Sequence, residues 1–205
     1  VEKNGSVSSD IQQALALGGI TDGVTNLEMT AAYATIANQG TYTRPVFYSQ
    51  VIDSNGRVLL DNTTPTTHTV LKASTASLLT QGMTSVITEG TGTSAKLDGK
   101  MPVSGKTGTT SSEYDLWFCG YTPYLTASIW TGYDENVSLS GDQAYHERLW
   151  AKIMNQIDSV KKYKAKSFKM SKDVKKYDIC SSSGKVAIKG VCPTSKSEYF
   201  AKGTQ

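Results

Sequence analysis

Apolar positions recur at helical spacing in three stretches of the chain. Residues 26–39 combine an alanine-rich composition with Asn26 as the expected N-cap. Residues 71–89 and 142–158 carry the second and third helical patterns. The apolar faces predicted for the three helices are, in chain order, Leu27, Ala31, Ala34 and Ala37; Ala76, Leu79, Met83, Val86 and Ile87; and Tyr145, Leu149, Ile153 and Ile157.

Short runs rich in β-branched and aromatic residues lie between these helices. Two such runs flank Ser54-Asn55-Gly56, and Asn-Gly is a strong signal for a β-hairpin. Further strands are predicted at residues 102–109, 115–122 and 125–133, and a short connection makes the last two an antiparallel pair. The order helix, hairpin, helix, three strands, helix predicts an α/β protein of the α+β type, in which helices flank an antiparallel sheet.

Charge divides the chain into two parts. Residues 1–159 contain nine basic and fifteen acidic residues, whereas residues 160–205 contain twelve lysines and three acidic residues. This change predicts one domain over residues 1–159, followed by a lysine-rich linker and a small cysteine-containing tail. The basic segment indicates a solvated linker, with attraction to an anionic membrane surface or cell-wall polymer as the alternative. Nucleic acid is not an expected partner, because no aromatic or glycine-rich binding pattern accompanies the lysines.

Cysteine and histidine spacing predicts no metal site, and no cofactor is expected. Cys119 lies in an apolar run, which predicts a small buried side chain. The spacing of Cys180 and Cys192 leaves open whether they form a disulfide. No stretch reaches the roughly 18–20 apolar residues that cross a bilayer. The first residues also lack signal-peptide features, so any membrane anchor is expected upstream.

The most informative tract, residues 101–136, contains Lys106-Thr107-Gly108. A phosphate-binding loop would require glycine at position 100, where the chain has Lys100. The residues after the motif also predict a strand, whereas a phosphate-binding loop opens a helix. On a strand, Lys-Thr-Gly is one of three elements found in serine enzymes that recognise penicillin. A motif of three residues alone is too short to identify this class of enzyme.

The residue types of this strand suit an acyl-transfer site. Lys106 would place a positive charge beside the nucleophile, and Thr107 and Thr109 offer hydroxyl groups to a substrate carboxylate. Gly108 leaves room for a substrate backbone to lie along the strand. The amide of Thr109 is a candidate oxyanion donor. Lys106 and Thr109 are thus the candidate catalytic residues, and Thr107, Gly108, Thr109 and Thr110 are the candidate substrate-binding residues.

The surrounding sequence resembles class A, bifunctional penicillin-binding proteins. The resemblance rests on the run Asp115 to Pro123 (DLWFCGYTP), the run Trp130 to Asp134 (WTGYD), residues 12–45 and the Gly-Thr-Gly segment within 88–95. The tail is similar to a cysteine-containing hairpin of some Gram-positive members. The resemblance implies a penicillin-binding transpeptidase or β-lactamase-like fold, of which this chain is the C-terminal portion. By the same analogy, Trp117 and Phe118 are expected to serve packing.

The resemblance also implies a function. Such an enzyme is a D,D-transpeptidase that cross-links peptidoglycan stem peptides through an acyl-serine intermediate and is inhibited by β-lactams. It acts at the extracytoplasmic face of the cell membrane, with a glycosyltransferase domain and a membrane anchor upstream. A D,D-carboxypeptidase or β-lactamase, and a non-catalytic penicillin-binding-like sensor or scaffold, are the alternatives.

The family's nucleophilic serine motif is missing from the expected place. Ser-x-x-Lys occurs at Ser159/Lys162 and at Ser182/Lys185, both after Lys106, whereas the family places it well before the Lys-Thr-Gly strand. We interpret both as coincidences, and no Ser-x-Asn triplet occurs. The serine is therefore expected from an N-terminal part of the same domain, either a separate chain or missing, and this chain alone is expected to be inactive.

Overall fold

The computed structural model describes residues 2–3, 5–7 and 9–204. The helices of this part are α1 (Asn26–Ala37), α2 (Ala73–Thr88) and α3 (Tyr145–Lys161). Its strands are β1 (Glu2–Lys3), β2 (Ser6–Val7), β3 (Thr41–Thr43), β4 (Gln50–Ile52), β5 (Val58–Asp61), β6 (Thr67–Thr69), β7 (Ser104–Thr109), β8 (Leu116–Tyr121), β9 (Thr126–Thr131), β10 (Val174–Cys180) and β11 (Ser195–Ala201). Among the described residues, no helix is both long enough and apolar enough to span a membrane.

An antiparallel sheet in the order β7-β8-β9 forms the centre of the fold. The predicted α+β class is confirmed, since helices cover both faces of this sheet and the remaining strands form two-stranded antiparallel pairs. The hairpin predicted around Ser54-Asn55-Gly56 is confirmed as β4 and β5, with Gly56 at a positive φ of 82°. The sharp reversal at this turn favours glycine, which has no Cβ to clash.

The first face of the sheet is covered by α1 and α2 through hydrogen-bonding side chains. Ser104 of β7 is fully buried and donates to the Thr80 carbonyl of α2 at 3.0 Å, while its hydroxyl also contacts that of Thr84 at 2.6 Å. The hydroxyl of buried Tyr121 meets the Thr80 hydroxyl at 2.8 Å. These bonds satisfy polar groups that would otherwise be costly to bury, so α2 has a defined position on β7 and β8.

The N-terminus of α1 differs from the sequence prediction. The N-cap is Thr25, so the prediction of Asn26 was wrong by one residue. The Thr25 hydroxyl accepts from the Glu28 amide at 3.2 Å, and the Glu28 carboxylate accepts from the Thr25 amide at 2.8 Å. This reciprocal pair is a capping box, and it leaves Asn26 free to contact Ser128 of β9.

The second face of the sheet packs against α3 around Phe118. This ring is fully buried and meets the Trp150 ring edge to face, with 5.1 Å between their centroids. It also covers two glycines that pair across β7 and β8. An added Cβ at Gly105 would lie 2.7 Å from Phe118 Cζ, and one at Gly120 would lie 2.6 Å from Phe118 Cε1. The paired glycines therefore make the space that the aromatic ring fills.

The apolar stripe predicted for α3 was partly wrong. Tyr145 and Ile153 are 54% and 42% exposed. The residues buried on this helix are His146, Glu147, Trp150, Ala151 and Met154. Their spacing is helical, but the face is rotated because the first turn buries two polar residues that a hydrophobicity pattern assigns to solvent. Met154 and Ala151 join Ile87, Ala95, Leu97, Met101 and Val103 in the core around Phe118.

Replacing Gly105 by alanine should lower the free energy of unfolding by about 1–3 kcal/mol, the usual cost of overpacking a core. The added methyl group would clash with the Phe118 ring and with the Cys119 carbonyl oxygen, 2.8 Å away. Urea unfolding monitored by circular dichroism measures the change.

The matched control is Gly82→Ala in the interior of α2, where an added Cβ meets nothing within 4 Å. It should raise stability by about 0.5–1 kcal/mol, because alanine favours the helix. Equal stability of the Gly105→Ala and wild-type chains would show that the Phe118 ring does not need the glycine.

Candidate functional site

Strand β7 is at the edge of the central sheet, since no other strand of the described residues pairs on its outer side. The Thr110 amide donates to the Asp115 carbonyl at 3.2 Å, so Thr110 and Asp115 form a hydrogen-bonded pair. Hydrogen-bonded pairs alternate along an antiparallel ladder. Lys106 and Gly108 therefore point their backbone groups at β8, and the backbone groups of Thr107 and Thr109 point to the open edge.

The Lys106 side chain lies beside this open edge. The side chain is exposed, and its ammonium Nζ donates to the Thr107 carbonyl at 2.9 Å. That carbonyl is one of the outward-pointing groups, so the positive charge of Lys106 lies at the open edge of the strand. The charge is free to attract a carboxylate or to orient a hydroxyl group, because no carboxylate of the described residues pairs with Lys106.

Thr107 connects the strand to the Gly90-Thr91-Gly92 segment that follows α2. The two hydroxyl oxygens of Thr107 and Thr91 are 2.8 Å apart. Gly92 allows this approach, because an added Cβ would lie 3.0 Å from Ile87 and 3.1 Å from Val86. Thr91 therefore lies beside the strand, while Thr109 is exposed at the end of the strand.

Thr110 takes part in the turn after β7. Its hydroxyl accepts from the amides of Tyr114 and Asp115, both at 3.0 Å. The Asp115 carboxylate accepts from the Trp130 indole at 2.8 Å, so it connects the turn to β9. The structure thus shows a turn-stabilising function for Thr110 and Asp115. The assignment of Thr110 to substrate binding stays a prediction.

Two buried polar side chains lie beneath the site, and hydrophobicity alone did not identify them. His146 and Glu147, in the first turn of α3, are 2% and 4% exposed. Neither His146 ring nitrogen forms a well-aligned hydrogen bond within the described residues. Burial lowers the pKa of His146, against a smaller opposing effect of the Trp117 backbone. Burial raises the pKa of Glu147, and the Ser94 backbone amide opposes this shift.

Two apolar grooves lie beside helices α1 and α2. The first, about 610 Å³ in volume, is bordered by α1 and by the residues around β3 and β6, including Leu27, Ala31, Ile36, Tyr42 and Val70. The second, about 490 Å³, follows α2 and reaches Lys106. Its walls include Leu79, Met83 and Val86 of the predicted apolar face of α2, and Leu79 is 43% exposed.

The sequence pattern of the penicillin binding protein transpeptidase domain matches residues 1–157. That of the penicillin-binding protein 1A C-terminal domain matches residues 170–205. The chain belongs to the penicillin-binding protein transpeptidase family. The resemblance to class A members is thereby confirmed. Neither match tests the predicted boundary at residue 159, which stays a prediction.

Individual relatives agree with this assignment. Penicillin-binding protein 1A of Clostridium acetobutylicum is 40% identical over 141 residues, which cover 69% of this chain and 17% of the relative. Penicillin-binding protein 1F of Bacillus subtilis is 36% identical over 165 residues, 76% of this chain and 23% of the relative. The chain thus spans about a fifth of the length of these curated relatives.

A solved structure shows the same fold. The crystal structure of penicillin-binding protein 1A from Haemophilus influenzae matches with a TM-score of 0.74 and 21% sequence identity. The match covers 95% of this chain and 34% of the solved chain. The expected penicillin-binding transpeptidase fold is therefore confirmed.

Acid should selectively weaken the contribution of His146 to stability. Its folded pKa lies below its unfolded value of 6.5, so the unfolded chain binds the proton more tightly. The contribution is complete above pH 6.5 and is lost as the pH falls toward the folded pKa. The difference in unfolding free energy between wild type and His146→Gln should therefore shrink below pH 6.5.

Glu147 has the opposite pH dependence: because its pKa is raised, it stabilises the fold at low pH and this contribution is lost as the pH rises. The effect is common to wild type and His146→Gln, so it cancels in the difference between their unfolding free energies. Urea unfolding at several pH values between 5 and 8 measures it. His68→Gln on the exposed strand β6 is the control for replacing a histidine by glutamine. A pH-independent difference for His146→Gln would contradict the expectation.

Proposed function

We propose that this chain provides the substrate-binding edge of a serine D,D-transpeptidase that cross-links peptidoglycan stem peptides and is inhibited by β-lactams. The observation that carries the proposal is the open edge of β7, where the backbone groups of Thr107 and Thr109 pair with no other strand of the described residues and lie beside Lys106. The family assignment supports the reaction class.

The open edge suits a peptide that binds as an added strand. A stem peptide lying antiparallel to β7 would exchange backbone hydrogen bonds with Thr107 and Thr109. Gly108 carries no side chain, so this approach is unobstructed on its side of the strand. The hydroxyls of Thr107 and Thr109 and the charge of Lys106 would bind the terminal carboxylate of the donor peptide.

The proposed chemistry is acyl transfer through a serine. The serine would attack the penultimate D-Ala carbonyl, release the terminal D-Ala and pass the acyl group to an amine of a neighbouring stem. The Thr109 amide would donate to the oxyanion that develops on the carbonyl. Lys106 would stabilise the negative charge and orient the shared protons beside the serine.

The serine would come from the N-terminal part of the same domain, which is the proposed partner of this chain. The two Ser-x-x-Lys matches lie on other elements, since Ser159 is in the last turn of α3 and Ser182 is in the β10–β11 connection. The apolar grooves along α1 and α2 offer a docking surface. Ile11, Leu17 and Phe47 are 94%, 93% and 88% exposed, which is unusual for such large apolar side chains.

The proposed location is the extracytoplasmic face of the cell membrane. Peptidoglycan stem peptides are the proposed substrates, and a membrane anchor and a glycosyltransferase domain are the proposed upstream parts. The PonA1 protein of Mycobacterium tuberculosis, solved in complex with penicillin V, supports the β-lactam part of the proposal. It is 27% identical with a TM-score of 0.60, over 70% of this chain and 40% of that chain.

The oxyanion assignment is testable at Thr109 in the assembled protein, which contains the upstream serine. Thr109→Pro removes the amide hydrogen, and it spares the ladder because that hydrogen points away from β8. Acylation by a fluorescent penicillin should slow about 10²–10³-fold. Thr109→Val keeps the amide and removes only the hydroxyl, so it should acylate much faster than the proline variant. Equal acylation rates for the two variants would contradict the assignment.

The partner assignment is testable with this chain alone. The isolated 205-residue chain should form no covalent adduct with fluorescent penicillin, and it should join a labelled complex when the N-terminal part is added. Stoichiometric labelling of the isolated chain would overturn the proposal. Rapid release of hydrolysed penicillin by the assembled protein would instead identify a hydrolytic relative, and binding without acylation would identify a sensor or scaffold.

A further inference from the structure

The backbone of the tail holds its two cysteines at one end of a hairpin. Strands β10 and β11 pair antiparallel up to Cys180, which faces Ser195. Beyond Cys180 the chain folds back along the outer side of β10. The Cys180 amide donates to the Lys185 carbonyl at 2.8 Å, and the Ala187 amide donates to the Asp178 carbonyl at 2.7 Å. Cys180 is therefore enclosed on both sides and is 4% exposed.

A second turn returns the chain to Cys180. The amides of Val191 and Cys192 both donate to the Ile188 carbonyl at 3.1 Å, and the Ser181 amide donates to the Thr194 carbonyl at the same distance. These bonds bring the backbone of Cys192 close to that of Cys180, so the two thiols influence each other's pKa. Both cysteines are free thiols, so their proximity comes from the backbone of the two turns and does not require a disulfide.

The surroundings of the two sulfur atoms are unequal. The pKa of Cys180 is lowered to about 7, first by the Cys192 thiol and then by the hydroxyl and amide of Ser183 and the amide of Ser182. The Cys180 contact raises the pKa of Cys192. Cys192 is the more accessible of the two. By contrast, burial raises the pKa of Cys119 to about 12, which makes that core thiol unreactive.

We propose that Cys180 and Cys192 form a redox-reactive pair that closes to an intramolecular disulfide across the tip of the tail hairpin. The oxidant is a small-molecule disulfide such as oxidised glutathione. Cys192, the accessible thiol, loses its proton and attacks one sulfur of the oxidant, which releases one glutathione thiolate. The Cys180 thiolate then attacks Cys192 Sγ in the mixed disulfide and expels the second glutathione.

The two steps balance. Two protein thiols are oxidised to one disulfide, one oxidised glutathione is reduced to two thiols, and the protons reach the released thiolates through solvent. Cys180 acts as the resolving residue, which suits a buried thiolate that needs to reach only its neighbour. Closure would restrain residues 181–191. It does not depend on whether the chain takes part in transpeptidation.

The test uses the reduced 205-residue chain, incubated with oxidised glutathione at neutral pH and analysed by mass spectrometry and peptide mapping. The wild-type chain should lose two thiols, keep Cys119 free and carry no glutathione. Hydrogen exchange at the amides of residues 181–191 should slow after oxidation. Three free thiols after oxidation, or a disulfide that includes Cys119 in the folded chain, would overturn the proposal.

Variants test the order of the two steps. Cys180→Ser should accumulate a glutathione adduct on Cys192, because the resolving thiolate is absent. Cys192→Ser should react far more slowly, since the two remaining thiols, Cys119 and Cys180, are both buried. Cys119→Ser is the matched control and should form the disulfide like the wild type. In denaturant, the rate advantage of the pair should disappear, because the turns that join the thiols are lost.

An adduct that persists on Cys192 in the wild-type chain would contradict the proposed role of Cys180. Equal rates of disulfide closure in native and denaturing buffer would also contradict the proposal, because the reactivity of the pair would then not depend on the folded structure. Peptide mapping of the wild-type chain gives a result even if a variant fails to fold.

Discussion

The packing of Phe118 between the β7–β8 ladder and α3 is the interaction on which the rest of the domain depends. The ring lies over the paired glycines Gly105 and Gly120 and meets Trp150 edge to face. The ring connects the sheet to α3, because it contacts Gly105 of β7, the strand that carries Lys106, and Trp150 of α3. The Trp150 indole also donates to the Ala127 carbonyl of β9 at 3.0 Å. A single aromatic cluster thus fixes β7, β8, β9 and α3 relative to one another.

This anchoring explains how an edge strand can be both exposed and well positioned. β7 is attached on one side by the β8 ladder, from behind by Phe118 and from the first face by the bonds of Ser104 to α2. Its other edge pairs with no strand of the described residues and carries the Lys106 ammonium. Unpaired edges invite unwanted association, so a rigid and open edge beside a charge is consistent with a surface that binds an extended peptide. His146 and Glu147 occupy the adjacent first turn of α3, where burial suppresses the charged form of each side chain.

Sequence reasoning succeeded where the signal is local. Asn55-Gly56 predicted its hairpin because only certain residues tolerate that turn, and the run from Asp115 to Pro123 indicated the family before any geometry was known. It failed where the answer depends on a neighbouring element. The N-cap moved to Thr25 because Glu28 completes a capping box and Asn26 contacts Ser128. The face of α3 was misassigned because a hydrophobicity pattern cannot detect that a histidine and a glutamate are covered by other elements.

The sequence by itself determined the fold class, the family and the strand that carries Lys106-Thr107-Gly108, because periodicity, turn residues and motif letters are properties of neighbouring positions. Only the tertiary structure decided which backbone groups of β7 face the open edge, since that depends on the register with β8. It also decided that Thr110 stabilises a turn and that Cys180 and Cys192 meet. These facts come from pairing between distant segments, and the free energy of such pairing depends on packing and hydrogen bonding that no single stretch of sequence contains.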